Sequence, residues 1–286
     1  MTTQSITSLA IEVGHEEPYH VEITRQDVTI RGLPRALHGA TFAHVSDIHG
    51  GFADLEKVYE EALIHVNQSN PDFIFFTGDY VDKRNARREY PMAEYLQRFR
   101  AKRAVFGCFG NHDHLCGKAW TRKMLERAGV QVLDDESVRL ESGLWIAGID
   151  DMHEGKPNIA RALADLPADQ TSIVLSHNPR LIEKAKGRDI LILSGHTHGG
   201  QFRLKFPPPV VICYAHLRCW QVAGWYTRGQ SRLYVNRGLG VTGKPFRIDC
   251  PAEIGIFRMV PDPSDPVMSS AYGRQPLAAR AAGGRT

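Results

Sequence analysis

Two histidines, one residue apart, close the apolar run "LILSGHTHGGQ" at residues 191–201. A strand ending in a glycine-rich turn is one explanation. The other is that strand side chains alternate faces, so that His196 and His198 point the same way and reach one metal site. Other apolar runs decide between them. "FAHVS" leads to Asp47, with His49 two residues on; "FIFFTG" leads to Asp79; "VFGCFG" leads to Asn111, His112 and Asp113; "SIVLS" leads to His177. Asp47, Asp79 and Asn111 stand at equal intervals of 32 residues, the length of one βαβ unit. Singly, each residue has an ordinary explanation: Asp opens a turn, Asn caps a helix, His sits satisfied in a core. Five candidate ligands at five strand ends are not turn chemistry, because sites in open α/β sheets form at the carboxyl ends of strands. A His, Asp and Asn set without sulfur suits Mn, Fe or Zn in five- or six-coordinate sites, not a thiolate structural zinc. The donors outnumber the needs of one ion. A carboxylate can bridge two, and cations about 3.5–4 Å apart clamp the attacking and leaving oxygens in hydrolases.

These residues carry a resemblance. Asp47 with His49, "GDYVD" (78–82), "GNHD" (110–113), "SH" (176–177) and "GHTH" (195–198) resemble the five motifs of the calcineurin-like metallophosphoesterases, all present and in order. "GHTHGGQ" and the later "LYVNRGLG" are similar to a bacterial branch that includes membrane-associated phosphodiesterases and UDP-diacylglucosamine hydrolases. The resemblance implies an α/β fold, a four-layer α/β/β/α sandwich of two mixed sheets flanked by helices. It also implies two divalent or trivalent metal ions (Mn, Fe or Zn), the first on Asp47, His49 and His198, the second on Asn111, His177 and His196, with Asp79 bridging. His112 would be the catalytic histidine that binds no metal, oriented by Asp113, with Asp82 orienting a ligand. The implied reaction is in-line attack of a metal-bridging hydroxide on a phosphodiester or pyrophosphate bond, with a lipid-linked nucleotide sugar among the substrates. Two alternatives stand beside it. A non-catalytic metal-binding interaction module would be marked by loss of the catalytic histidine or the bridging Asp, and both His112 and Asp79 are present. A nuclease or cyclic-nucleotide phosphodiesterase of the same superfamily is the other; a nuclease calls for a larger basic groove.

The elements that must position these residues follow from periodicity. Residues 19–31 alternate apolar and polar and predict a short β-hairpin. From residue 41 strand and helix alternate: "ATFAHVS", then an amphipathic helix through Leu55, Val58, Tyr59, Ala62, Leu63 and Val66, then "DFIFFTG". A helix is predicted around residues 90–100, a third strand at "AVFGCFG", and a helix over "KAWTRKMLERAG" closed by Gly129. Short strands follow through residues 130–151, then "SIVLS", a helix near Pro179, "DILILSG", and closing strands at "SRLYVNRGLG" and "EIGIFRMV". Residues 1–18 read as an N-terminal extension, 19–260 as one metallophosphoesterase domain, and 261–286, rich in Pro, Ser, Ala and Gly, as a disordered tail.

The 286 residues carry a net charge of +3, too little to argue for nucleic acid. The clusters at 83–88 and 98–103 are locally basic, and the plainer reading is a solvated face. Five cysteines without C-x-x-C spacing point to a reducing compartment. With no signal-like start and no long apolar run, a cytoplasmic protein is expected, with peripheral membrane association left open. Residues 203–226 are apolar and aromatic. They read equally as a lid or lipid-contacting loop and as a buried connection.

Overall fold

The computed structural model describes residues 20–51, 55–82, 91–185, 187–204, 210–212, 219–244 and 246–265. One six-stranded sheet runs in the order β1 (Val21–Ile30), β14 (Ala252–Pro261), β2 (Thr41–Val45), β3 (Phe73–Phe76), β4 (Ala104–Gly107), β5 (Gln131–Val132). The other runs β12 (Gly224–Arg228), β13 (Ser231–Val235), β9 (Ile190–Ser194), β8 (Ser172–Ser176), β7 (Trp145–Ile149), β6 (Glu136–Arg139). Both sheets are mixed: β2 to β5 are mutually parallel while β14 is antiparallel to β2, and β7, β8, β9 and β13 are parallel while β6 and β12 are antiparallel edges. A small hairpin pairs β10 (Phe202–Leu204) with β11 (Val210–Ile212).

The continuous apolar strands are explained by burial on both faces. In β3, Phe73 and Phe75 enter the core between the sheets, while Ile74 and Phe76 face α1 (Glu56–Ser69) and α2 (Met92–Gln97). In β9, Leu191 and Leu193 point between the sheets, and Ile190 and Ile192 meet α4 (Ile159–Ala162) and α5 (Leu181–Lys184). Three cores, one central and two outer, separate four layers: the α/β/β/α sandwich expected. α1 buries Val58, Tyr59, Ala62, Leu63 and Val66, the stripe that its spacing dictates. Each such side chain contributes about 1.5–3 kcal/mol.

Three local expectations need correction. Residues 19–31 form no hairpin: β1 is a single strand parallel to β14. Its apolar residues change face along its length, Val21 and Ile23 packing on the helix side and Val28 and Ile30 between the sheets, which imitates two short strands. α3 (Asn111–Arg127) begins seven residues before the helix expected, at Asn111 itself, and bends at Gly117, whose φ of 110° accommodates the break. Finally, β14 reaches Pro261, and Asp265 is buried, accepting the Gly32 N–H at 2.8 Å. The tail expected from 261 therefore does not include 261–265; residues 266–286 lie outside those described, as does the 1–18 extension.

Candidate metal centre

Asp47 and His49 follow β2, Asp79 follows β3, Asn111 opens α3 after β4, His177 follows β8, and His196 and His198 follow β9. The two sheets abut so that all seven meet at one end. His49 Nε2 and His198 Nε2 face each other at 3.1 Å, with Asp47 Oδ1 at 4.0 and 3.5 Å from them. His177 Nε2 lies 3.0 Å from His196 Nδ1 and 3.2 Å from Asn111 Oδ1. Asp79 Oδ2 stands between the two groups, 3.5 Å from His49 Nε2 and 3.2 Å from His177 Nε2. Ligand atoms of Asp47, His49 and His198, and of Asp47, Asp79 and His177, fall within 4.8 Å of one another. Such a dense set of buried nitrogen and oxygen donors fits hard or borderline cations.

The backbone is bent to bring this about. Asp47, His49, Asp79, His196 and His198 all have positive φ, from 47° to 73°. That conformation costs a non-glycine residue about 1–3 kcal/mol and persists only where the surroundings enforce it. They do so here. Asp113 is buried, and its carboxylate accepts the backbone N–H groups of Asp79 (2.8 Å), Gly110 (2.8 Å) and Tyr80 (3.1 Å). Asp47 accepts the N–H of His196 at 2.9 Å, linking the two sheets. Gly195 lets them approach: a Cβ there would lie 1.9 Å from Ser46 Oγ and 2.1 Å from Asp47 Oδ2.

His196 and His198 are not on a strand, so period-two alternation does not align them. β9 ends at Ser194, and the turn sends His196 to His177 and His198 to His49. The ring orientations are set from behind. His177 Nδ1 donates to the Thr77 carbonyl at 2.7 Å, turning Nε2 inward, and His198 Nδ1 faces the Gly240 carbonyl at 3.4 Å.

Asp82 Oδ2 lies 3.7 Å from His112 Nδ1 and 3.8 Å from His49 Nδ1. Asp113, expected to orient His112, instead commits both oxygens to backbone. It holds the 78–80 turn and the start of α3. The His112 ring lies edge-on to His49 at 4.7 Å, and the backbone N–H of His112 donates to Asp79 Oδ1 at 2.8 Å.

The electrostatics are those of charges packed out of water. Burial, reinforced by Asp79, pushes Asp47 up to about 6, and burial with Asp79 pushes Asp113 up to about 7. Burial and the neighbouring His112 push His49 down to about 3, and burial and His49 hold His198 well below the usual range. Asp79 behaves oppositely: burial would raise it, but His177, His112 and His49 outweigh burial and hold it well below. His177 is its counterpart, raised well above the imidazole range by Asp79 and Asp47 despite burial. His177 and Asp79 thus each favour the other's charged form, and a cation would compete for the same lone pairs.

Sequence comparison joins this geometry. The calcineurin-like phosphoesterase profile matches residues 40–217. The chain belongs to the calcineurin-like phosphoesterases. It is 31% identical to the uncharacterized metallophosphoesterase YkuE of Bacillus subtilis over 85% of this chain and 87% of that protein. It is 30% identical to YkoQ of the same organism, over 89% and 98%. It is 25% identical to the UDP-2,3-diacylglucosamine pyrophosphatase LpxG of Chlamydia muridarum, over 88% and 93%. As a calcineurin-like phosphoesterase the protein is a metal-dependent hydrolase of phosphoesters, and the family depends on two metal ions.

Arg237 of the "LYVNRGLG" stretch, the basic clusters and residues 203–226 have other surroundings. Arg237 pairs with Glu253 (3.2 Å) and Glu22 (2.6 Å), and Arg98, Lys102 and Arg103 pair with Glu60 and Asp72 on the surface. The 83–88 cluster falls outside the described residues. Of residues 203–226, Trp225 is on β12 and packs against Tyr234 and Phe257, its Nε1 donating to Gln26, so it belongs to the sheet edge and not to a lid. Trp220 is 85% exposed, and its segment is tied to the centre by Thr197 Oγ1 donating to the Val222 carbonyl at 2.5 Å. Residues 205–209 and 213–218 are not described. No helix among the described residues is long and apolar enough to cross a membrane.

Sequence reasoning missed Arg247. Half-buried, it donates to the carbonyls of Arg237 (2.8 Å), Gly238 (3.1 Å) and His198 (3.2 Å), clamping the 237–240 turn onto His198. An arginine in an irregular loop leaves no periodic signal.

Proposed function

We propose that the cluster is a binuclear centre in which Asp47, His49 and His198 hold one cation, Asn111, His177 and His196 hold the other, and Asp79 spans both. The observation that carries this is Asp79 Oδ2 lying within 3.5 Å of one ring nitrogen from each half. When bound, the cations supply Lewis-acid activation of water and of the phosphoryl oxygens. The chain's own residues do the rest. His112, fixed through its backbone N–H by Asp79 and with Asp82 beside its ring, carries a proton to the leaving oxygen. Asp113 holds the turn that presents Asp79, and the dry ring of histidines keeps the donors preorganised.

The bond cleaved is a phosphodiester or pyrophosphate, and the substrate class favoured is a lipid-linked nucleotide sugar. Support for the latter is the likeness to LpxG, named a UDP-2,3-diacylglucosamine pyrophosphatase, and the exposed Trp220, two residues before Val222, whose carbonyl accepts from Thr197 between His196 and His198. Exposed tryptophan next to a polar centre suits a substrate with an apolar end, presented from a membrane surface to a protein that docks peripherally. The metals are Mn, Fe or Zn by donor type. The test is metal analysis of the purified protein together with a panel of mono-, di- and pyrophosphoesters. Two ions per chain and preferred cleavage of the lipid-linked pyrophosphate are expected. One ion, or equal rates on short soluble diesters, would overturn the assignment or the substrate class respectively. Trp220→Ser should raise KM for the lipid-linked substrate while leaving a small diester unaffected.

A further inference from the structure

The loop after β7 brings one more imidazole to the cluster. The His153 ring lies 6.3 Å, centroid to centroid, from His196, yet its side chain is 62% exposed. The loop that presents it is held from within. Asp151, buried, accepts the N–H groups of His153 at 2.7 Å and Glu154 at 2.6 Å. Asp150, also buried, accepts those of Asp151 at 2.9 Å and Lys156 at 3.3 Å, and is itself gripped by His114 (2.6 Å) and Lys118 (2.9 Å) from α3. Burying two carboxylates costs solvation, which is offset only by filling their hydrogen bonds. Here that expense fixes the backbone of a rim loop whose outward product is one imidazole. The Glu154 carboxylate lies 3.2 Å from His153 Nδ1, which leaves Nε2 for another partner.

The two flanking histidines sit against opposite halves of the cluster. His112 lies beside His49, which faces His198, and His153 lies beside His196, which faces His177. In-line displacement at phosphorus has an entering side and a leaving side, so a phosphoryl group spanning the centre projects oxygens toward both. We infer that His153 is a substrate-contacting residue that hydrogen-bonds a phosphoryl oxygen on the His177–His196 side, with Glu154 orienting its ring. This rests on the phosphoesterase reading above. The role is positioning: the contact holds the ester and does not itself make or break a bond.

The experiment uses the full chain loaded with Mn, comparing wild type with His153→Ala, His153→Gln and Glu154→Gln. Calorimetric binding of inorganic phosphate, KM and kcat for bis(p-nitrophenyl) phosphate, metal content and Tm are measured on each. His153→Ala should raise both the phosphate Kd and KM by roughly tenfold, the weight of one hydrogen bond to a charged group. Metal content and Tm should match wild type, because the side chain is exposed. His153→Gln, whose amide still donates, should recover part of the loss, and Glu154→Gln should fall between wild type and His153→Ala. Phosphate Kd and KM of His153→Ala both within twofold of wild type would overturn the inference, and so would a lowered Tm with unchanged phosphate affinity of the folded protein. Wild type that neither binds phosphate nor cleaves the ester would overturn the phosphoesterase reading itself, a result distinct from either.

Discussion

Asp79 Oδ2 and His177 Nε2 lie 3.2 Å apart, and a cation bound at the centre would compete with that pairing. His177 sits well above the ordinary imidazole range because Asp79 and Asp47 outweigh its burial. Metal binding should therefore release a proton, and affinity should rise with pH until His177 is deprotonated without help. Calorimetric titrations in two buffers of different ionisation enthalpy measure that release directly; a pH-independent Kd between about pH 6 and 8 would contradict it. His112 poses a separate question of role. Because its ring faces Asp82 and lies edge-on to His49, His112→Ala should retain both metals and lose about 10²–10⁴-fold in kcat. Metal loss from that variant would make His112 a ligand instead.

At the scale of elements, the centre depends on turns and on one helix. Gly195 leaves the room in which Asp47 caps the turn after β9, so Gly195→Ala should destabilise the fold by about 1–3 kcal/mol through overpacking and weaken metal binding together. α3 is locked to the loop after β7 by His114 and Lys118 on Asp150. Burial alone would raise Asp150, but the hydrogen bonds and charges of His114 and Lys118 hold it well below its usual 3.8, while the bond to Asp150 raises His114 above 6.5. The depressed carboxylate stabilises fully above its ordinary pKa and loses that contribution as pH falls below it. The raised histidine stabilises fully below its ordinary pKa and loses it as pH rises through the raised value. Both act together between about pH 4 and 6.5. The Tm deficit of Asp150→Asn should therefore be largest near about pH 5–6 and shrink toward pH 3. A deficit constant with pH would show that the ion pair contributes nothing beyond packing.

For the whole molecule, the central core decides whether the site exists, since Asp47, Asp79 and Asn111 come from one sheet and His177, His196 and His198 from the other. Phe42, Phe75, Phe106 and Phe257 fill the space between them. Phe75→Ala should cost about 3–5 kcal/mol. It should lower metal affinity as well, because the ligands lie on opposite sides of the loosened seam. Conversely, saturating metal should raise Tm by binding only the assembled state, and a chelator should abolish the gain. A variant with lowered Tm but wild-type metal affinity would show that each half holds its cation independently of the seam.

That Asp47, His49, Asp79, Asn111, His177, His196 and His198 would lie together was legible in the sequence. Buried parallel strands are apolar on both faces, so a polar residue at the end of each run stands out, and those ends share one side of an α/β sheet. The four layers were implied by the family resemblance, and the structure realises them by setting Phe73 and Phe75 against the opposite sheet and Ile74 and Phe76 against the helices. Only the tertiary structure decided that Asp82 lies beside His112 while Asp113 turns to the backbone, and that Arg247 and His153 adjoin the centre. Periodicity records which face a residue takes within its own element. Pairing across the seam depends instead on turns at positive φ and on distances between segments far apart in the chain, and neither leaves a repeating trace in one sequence.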